Sequence, residues 1–255
     1  MDKKVLVIGD SCEDIFVYGD CNRICPEAPV PVFNPVSLEK LNPGMAGNVH
    51  KNVISLGFNC DILTNDNRIT KTRYIDNKSN QMLIRVDSND VANPIDSSKL
   101  TEEYLSKYDI VIVSDYNKGF LTESDMEQIS TVHDWCFLDT KKYLGQWSRN
   151  FRFIKINEVE YSANFNAIAD LDDMEEQLVV TLGSLGCRYM NLHIKPKKEV
   201  QTIDVSGAGD TFMAAFSTEV HESGDVAAAM SFANECSLKV IQQRGVSTIE
   251  TTEKL

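Results

Sequence analysis

The chain is short of positive charge: 25 Lys and Arg stand against 38 Asp and Glu in 255 residues, leaving a formal net charge of −13. That balance speaks against nucleic acid or an anionic membrane surface as partner, because both are held by basic surfaces. No apolar run approaches the roughly 18 residues of a membrane-spanning helix, so no membrane partner is expected. The start, Met1-Asp2-Lys3-Lys4, leads straight into a strand-like run without the apolar stretch of a secretory leader. Cysteine occurs only at 12, 21, 25, 60, 136, 187 and 236, with no Cys-x-x-Cys pair. Cys21 and Cys25 have no nearby His to complete a zinc set. An odd, scattered set of this kind suits reduced thiols and a cytoplasmic location. His50, His133, His193 and His221 show no pairing that suggests metal binding or catalysis, and there is no repeat, low-complexity segment or clear linker.

What is present is enough for a sizeable core, since 42% of the residues are hydrophobic. The length suits one large α/β domain spanning 1–255. Residues 4–10 read as a buried strand, 47–56 as a helix and 60–64 as a short strand. From about residue 99 helix and strand alternate. Helical stretches 100–106 and 123–132 are interleaved with strands at 110–115, 136–139, 151–157 and 178–183. Repeated units of this kind imply a mostly parallel sheet with helices on both faces. Two other regions, roughly 15–38 and 71–87, have strand character; the prolines at 26, 29 and 31 exclude helix there. They are expected to pair as a small β-sheet lid. Asp10, Asp115, Asp139 and Asn157 close successive strands, and ligands of such sheets bind at the carboxyl ends of strands. Turn formation explains each of these residues singly; a shared site explains the set.

The most informative stretch is Ser206-Gly207-Ala208-Gly209-Asp210-Thr211-Phe212, between a strand-like run at 199–205 and a helix-like run from Thr211. A Gly-x-Gly turn opening a helix aims several N–H groups at one point, together with the positive end of the helix dipole. Asp210 at the rim of such an anion hole can take a proton from an attacking hydroxyl. The chemistry suggested is phosphoryl transfer to an alcohol. A Gly-rich turn capped by a plain Asp explains these residues equally well in isolation.

Asp204-Val205-Ser206-Gly207-Ala208-Gly209-Asp210-Thr211 resembles the signature of the ribokinase-like (PfkB) carbohydrate kinases. Further stretches are similar to one branch, the kinase domain acting on D-glycero-D-manno-heptose 7-phosphate in ADP-heptose synthesis. They include Arg23-Ile24-Cys25-Pro26-Glu27-Ala28-Pro29-Val30-Pro31-Val32, Gln81-Met82-Leu83-Ile84-Arg85-Val86-Asp87 and Ser114-Asp115-Tyr116-Asn117-Lys118-Gly119. The resemblance runs in order along nearly the whole chain. It implies a three-layer ribokinase-like sandwich, and transfer of the ATP γ-phosphate to the anomeric hydroxyl of the heptose phosphate. Kinases for other sugars, a catalytically inactive regulatory homologue and a binding module without turnover are the competing readings. Two departures stand out. Met45-Ala46 separates Gly44 and Gly47, where the family usually has adjacent glycines, and segments near 64–70 and after 160 are shorter than expected. These residues hold no counterpart of the nucleotidyltransferase domain fused to some relatives.

The resemblance implies a role for each matching position. Asp210 is the base, and Gly207, Ala208 and Gly209 give N–H groups to the transferring phosphoryl oxygens. Asp14 and Asn48 correspond to the sugar-binding pair, with Gly44 allowing close approach. Lys118 is expected on a phosphate of substrate or nucleotide, and Arg23, Lys71, Arg73 and Arg85 are candidates for the sugar phosphate. Asn157 and Glu160 match the motif that organises Mg²⁺. Thr181, Gly183 and Gly186 match the nucleotide-side strand and turn, and Asn234 a position near adenine. Asp204, Ser206 and Ser247 fall where relatives bind a monovalent cation such as K⁺. A homodimer through the lid strands follows by the same analogy.

Overall fold

Alternate residues of one short strand face opposite helical layers, and this organises the molecule. In β1 (Lys4–Gly9), Val5 and Val7 join one buried cluster while Leu6 and Ile8 join another. The computed structural model describes residues 3–36, 40–198, 200–243, 245 and 247–249. The remaining strands are β2 (Ser11–Ile24), β3 (Pro31–Pro35), β4 (Lys40–Met45), β5 (Asn59–Leu63), β6 (Thr70–Asp76), β7 (Met82–Ser88), β8 (Ile110–Asp115), β9 (Cys136–Thr140), β10 (Phe153–Asn157), β11 (Leu178–Thr181), β12 (Cys187–Tyr189) and β13 (Leu192–Ile194). The helices are α1 (Ala46–Ser55), α2 (Glu102–Leu105), α3 (Glu123–Val132), α4 (Glu158–Ala163), α5 (Phe165–Ala169), α6 (Ala208–Ser223) and α7 (Val226–Val240).

Eight strands form the main sheet in the order β13-β12-β11-β10-β9-β8-β1-β5. From β11 to β5 all neighbours are parallel; β12 and β13 add an antiparallel edge. Helices α1, α6 and α7 cover one face through Val49, Val53, Phe212, Phe216 and Met230, and α2, α3 and α5 cover the other through Leu105, Met126, Ile129 and Ile168. Such strands are buried on both sides, which is why they read as continuous apolar runs. The fold is the expected ribokinase-like α/β sandwich.

The second sheet has the order β3-β2-β6-β7, with β4 pairing β2 beside β3. Its β2–β6 pair is parallel and its other pairs antiparallel. Strand β4 lies outside the lid segments expected from the sequence; residues 37 and 38 of the first lie outside the described residues. The strand-like run expected at 199–205 is corrected: Glu199 lies outside the described residues, and 200–205 is not a strand. Ile203 and Asp204 instead donate their N–H groups to Ile241 O at 2.8 and 3.2 Å. The alternating residues had suggested a strand, but Ile203 and Val205 are exposed and bury no apolar face.

Candidate functional site

The site lies where the parallel strands end and α6 begins. Gly207 precedes α6 with φ 81°, a left-handed value that a residue with a Cβ adopts only at a cost, and it turns the chain into the helix. The first N–H groups of a helix have no partner within it. Here Ala208 N–H donates to Val205 O at 3.2 Å, so this expected phosphoryl donor is already engaged. At Gly209 a Cβ would lie 3.0 Å from Lys155 Nζ, so the glycine leaves room for an ammonium group beside the helix N-terminus. The fit to an anionic ligand is good: the dipole, the missing Cβ and a buried lysine converge on one place.

Asp210, in the first turn of α6, is buried. Its Oδ2 accepts from Asn48 Nδ2 at 2.9 Å, across from α1, and its Oδ1 accepts from the Tyr116 hydroxyl at 2.6 Å. Burial pushes its carboxyl up to about 6, against the opposing effect of those two donors. A carboxyl placed there is poised near neutral pH for general base work. Asp139, at the end of β9, accepts from Lys155 Nζ at 2.5 Å, and Lys141 Nζ is 3.6 Å away. These lysines hold the buried Asp139 carboxyl below its usual range although burial opposes them.

Asp14, buried on β2, pairs with Arg73 of β6. Gly44 lies against it: a Cβ there would fall 2.2 Å from Asp14 Oδ2 and 2.7 Å from Cys12 Sγ. The absence of a side chain at 44 therefore accommodates the carboxylate itself. Met45 follows with φ 60°, an uncommon conformation for a side-chain-bearing residue, at the junction of β4 and α1. Its Sδ meets Nζ of the buried Lys71 at 3.4 Å. The strain is held by burial of Met45 and by Ala46 N–H donating to Asp10 O at 2.9 Å.

The other expected residues divide. Asn157 caps α4 by accepting from Glu160 N–H at 2.9 Å, while Glu160 Oε2 accepts from Asn157 N–H at 2.8 Å. Glu160 Oε1 takes Lys141 Nζ at 2.5 Å. No group of three His, Cys, Asp or Glu among the described residues is placed to hold a metal. A hydrated Mg²⁺ needs only one or two protein oxygens, and Glu160 and Asn157 can supply them in competition with Lys141. Asp204 Oδ1 accepts from Ser206 N–H at 2.8 Å and its Oδ2 from Gly245 N–H at 3.1 Å. Ser247 Oγ is 3.4 Å from Gly245 O in the same loop. Lys118 pairs with Asp90, Arg85 forks onto Asp87 through two bonds of 2.6 Å, and Arg23 is exposed on the outer part of β2.

Beside the start of α6 a cleft of about 740 Å³ gathers Gly183, Lys195, Ala208, Asn234, Ser237 and Leu238. Asn234 of α7 donates to Ile194 O at 3.0 Å. Gly186, with φ 92°, turns from β11 into β12, and a Cβ there would be 2.1 Å from Ile194 O. Thr181 ends β11, where its Oγ1 lies 3.4 Å from Ile156 O.

Sequence reasoning gave no role to Tyr116, Asp139, Lys141 or Lys155 at Asp210. Asp139 figured as a strand end and, with Lys141, in the stretch Asp139-Thr140-Lys141 that resembles the family, and Tyr116 only within a matching stretch; nothing local in the sequence signals that they converge. Of the other strand-end carboxylates, Asp10 accepts N–H groups of the loop after β8, and Asp115 holds Thr140 Oγ1 at 2.5 Å and Lys142 Nζ at 2.7 Å. Both serve the loops around the site.

A buried carboxyl in the first turn of a helix, with the buried Lys155 beside that helix's N-terminus and a cleft lined by Ala208 at the same end, is the equipment of a phosphotransferase with an alcohol group as acceptor. Residues 59–253 match the pfkB family carbohydrate kinase model, and the chain belongs to that family. It is 29% identical to the bifunctional protein HldE of Aliarcobacter butzleri over 301 aligned positions, which cover 98% of this chain and 63% of the relative. The chain thus spans somewhat under two thirds of the relative's length. The aligned positions outnumber its own residues, so the relative carries insertions within the matched region. Among solved structures, ribokinase of Arabidopsis thaliana complexed with ribose and ATP has a TM-score of 0.70 at 15% identity, covering 96% of this chain and 94% of that one. Phosphofructokinase-2 of Escherichia coli in complex with potassium has a TM-score of 0.71 at 14% identity, covering 96% and 94%. No helix among the described residues is long and apolar enough to cross a membrane.

Proposed function

We propose that the protein transfers the γ-phosphate of ATP to the anomeric hydroxyl of D-glycero-D-manno-heptose 7-phosphate, giving the 1,7-bisphosphate and ADP. The observation that carries the chemistry is the buried Asp210 carboxyl, held by Asn48 and Tyr116 at the N-terminus of α6. The acceptor oxygen attacks the γ-phosphorus, its proton passes to Asp210, and the bond from phosphorus to the bridging oxygen breaks with its electron pair leaving on ADP. Gly209 and Lys155 face the developing charge, and most of the rate comes from positioning and charge stabilisation. Asp14 and Asn48 orient the sugar. The cleft containing Gly183 and Asn234 takes the nucleotide. Mg²⁺, held by Glu160 and Asn157, would neutralise phosphate charge. K⁺ would sit at the Asp204–Ser206 loop, a reading supported by the potassium complex of the phosphofructokinase-2 neighbour.

The heptose acceptor is favoured by similarity to HldE along nearly the whole chain and by the branch-like Pro26–Val32 and Ser114–Gly119 stretches. We further place the protein in the cytoplasm, as a homodimer joined through the second sheet. An ADP-release assay over a panel of sugars and sugar phosphates tests the reading. Turnover highest with the heptose 7-phosphate is expected. A better acceptor would reassign the substrate, and ATP binding without turnover on any acceptor would replace the enzyme by a regulatory homologue.

A further inference from the structure

Tyr116 makes the shorter of the two hydrogen bonds to Asp210, 2.6 Å against 2.9 Å for Asn48. Two ammonium groups lie near its ring, Lys71 Nζ of β6 at 5.5 Å from the ring centre and Lys141 Nζ, just after β9, at 5.3 Å. The backbone at 116 is itself anchored. Its N–H donates to Asp10 Oδ2 at 2.7 Å, and Phe120 N–H donates to Asp10 Oδ1 at 3.2 Å. A buried carboxylate at the end of β1 therefore fixes the loop that presents this hydroxyl, and Asn117 completes the turn with φ 56°.

We propose that Tyr116 is a positioning residue for phosphoryl transfer: its hydroxyl keeps the Asp210 carboxylate charged and oriented toward the acceptor. The inference rests on the kinase reading for the role of Asp210, but its first readout needs no turnover. With one donor on each oxygen, Asp210 keeps free lone pairs for an incoming hydroxyl. Burial and the neighbouring Asp210 charge hold the Tyr116 hydroxyl well above its ordinary value, so it stays a neutral donor at working pH. Charged and titratable groups bear on Asp210 from several elements: Asp139 of β9, Lys155 of β10, Lys141 beyond β9 and Cys12 of β2. Tyr116→Phe removes one hydroxyl and leaves all of these in place.

The test is the titration of Asp210 by carbon NMR in the full chain labelled at aspartate carboxyls, its signal identified by its loss in Asp210→Asn. The wild-type midpoint is expected near pH 6. In Tyr116→Phe it should rise by about one pH unit, because a hydrogen bond to the charged form is lost. A purely structural role predicts the opposite, since loosening admits water and draws the midpoint down. An unchanged or lowered midpoint overturns the proposal. The acid limb of kcat/KM should move by the same amount, with about tenfold loss below the limb and recovery above it; a limb that stays in place also counts against it. Wild type inactive on every sugar would sink the kinase reading alone, with the midpoint still deciding the role of Tyr116. Tyr116→Met repeats the comparison if the Phe variant fails to fold.

Discussion

Asp210 is destabilising to the fold in the ionised form that a base requires. Its carboxyl rises from an ordinary 3.8 to about 6 through burial. Between those values the folded chain binds a proton that the unfolded chain has released, so stability falls as pH rises through that window. The loss attributable to Asp210 above pH 6 is on the order of 3 kcal/mol. Asp210→Asn removes the titration. Its thermal midpoint, taken relative to wild type, should climb between pH 4 and pH 7, while kcat falls by about 10²–10⁴-fold. A relative midpoint that is flat or falling across that window contradicts this account. Gly44 makes a second prediction. In Gly44→Ala the new Cβ meets Asp14 Oδ2 at 2.2 Å, so the carboxylate and its partner Arg73 must shift. The Michaelis constant for the sugar should rise about tenfold or more, with that for ATP nearly unchanged; equal changes in both would show that Asp14 does not orient the acceptor. The glycine at 44 was legible in sequence, but what it accommodates was not, because Asp14 comes from a different strand.

At the scale of elements, β9 and β10 carry a buried pair, Asp139 and Lys155, whose partners come from adjacent strands of the main sheet. Breaking such a pair strands a charge, and losing both partners costs less. Lys155→Met should lower unfolding free energy by about 3–5 kcal/mol in denaturant titration, and Asp139→Asn added to it should restore part of the loss. A double variant no more stable than the single one would argue against the pairing. Most elements were legible because a parallel strand buried on both faces must be apolar throughout. The run at 199–205 misled because alternation predicts a strand only where a neighbouring edge accepts it. Asn157 shows a different ambiguity: Asn-x-x-Glu suits both a metal motif and a capping box, and here the box is formed.

For the whole molecule, the edge strand β7 of the second sheet carries exposed apolar side chains, with Ile84 57% and Val86 41% exposed. Paired with Tyr74 and Thr72, Ile84 and Val86 share one face of the sheet, and the proposed homodimer would bury them there. Sedimentation at micromolar concentration should find a dimer that Ile84→Glu converts to monomer without unfolding; a monomeric wild type would end the proposal.

The sequence by itself determined the alternation of strand and helix, the two-faced main sheet and the Gly207-Ala208-Gly209-Asp210 turn, because these rest on local periodicity and on the conformational needs of neighbouring residues. Only the tertiary structure decided what surrounds Asp210. Asn48, Tyr116, Asp139, Lys141 and Lys155 come from separate elements, and the resulting balance of burial, hydrogen bonds and charge depends on distances across the sheet, which no short stretch of chain encodes.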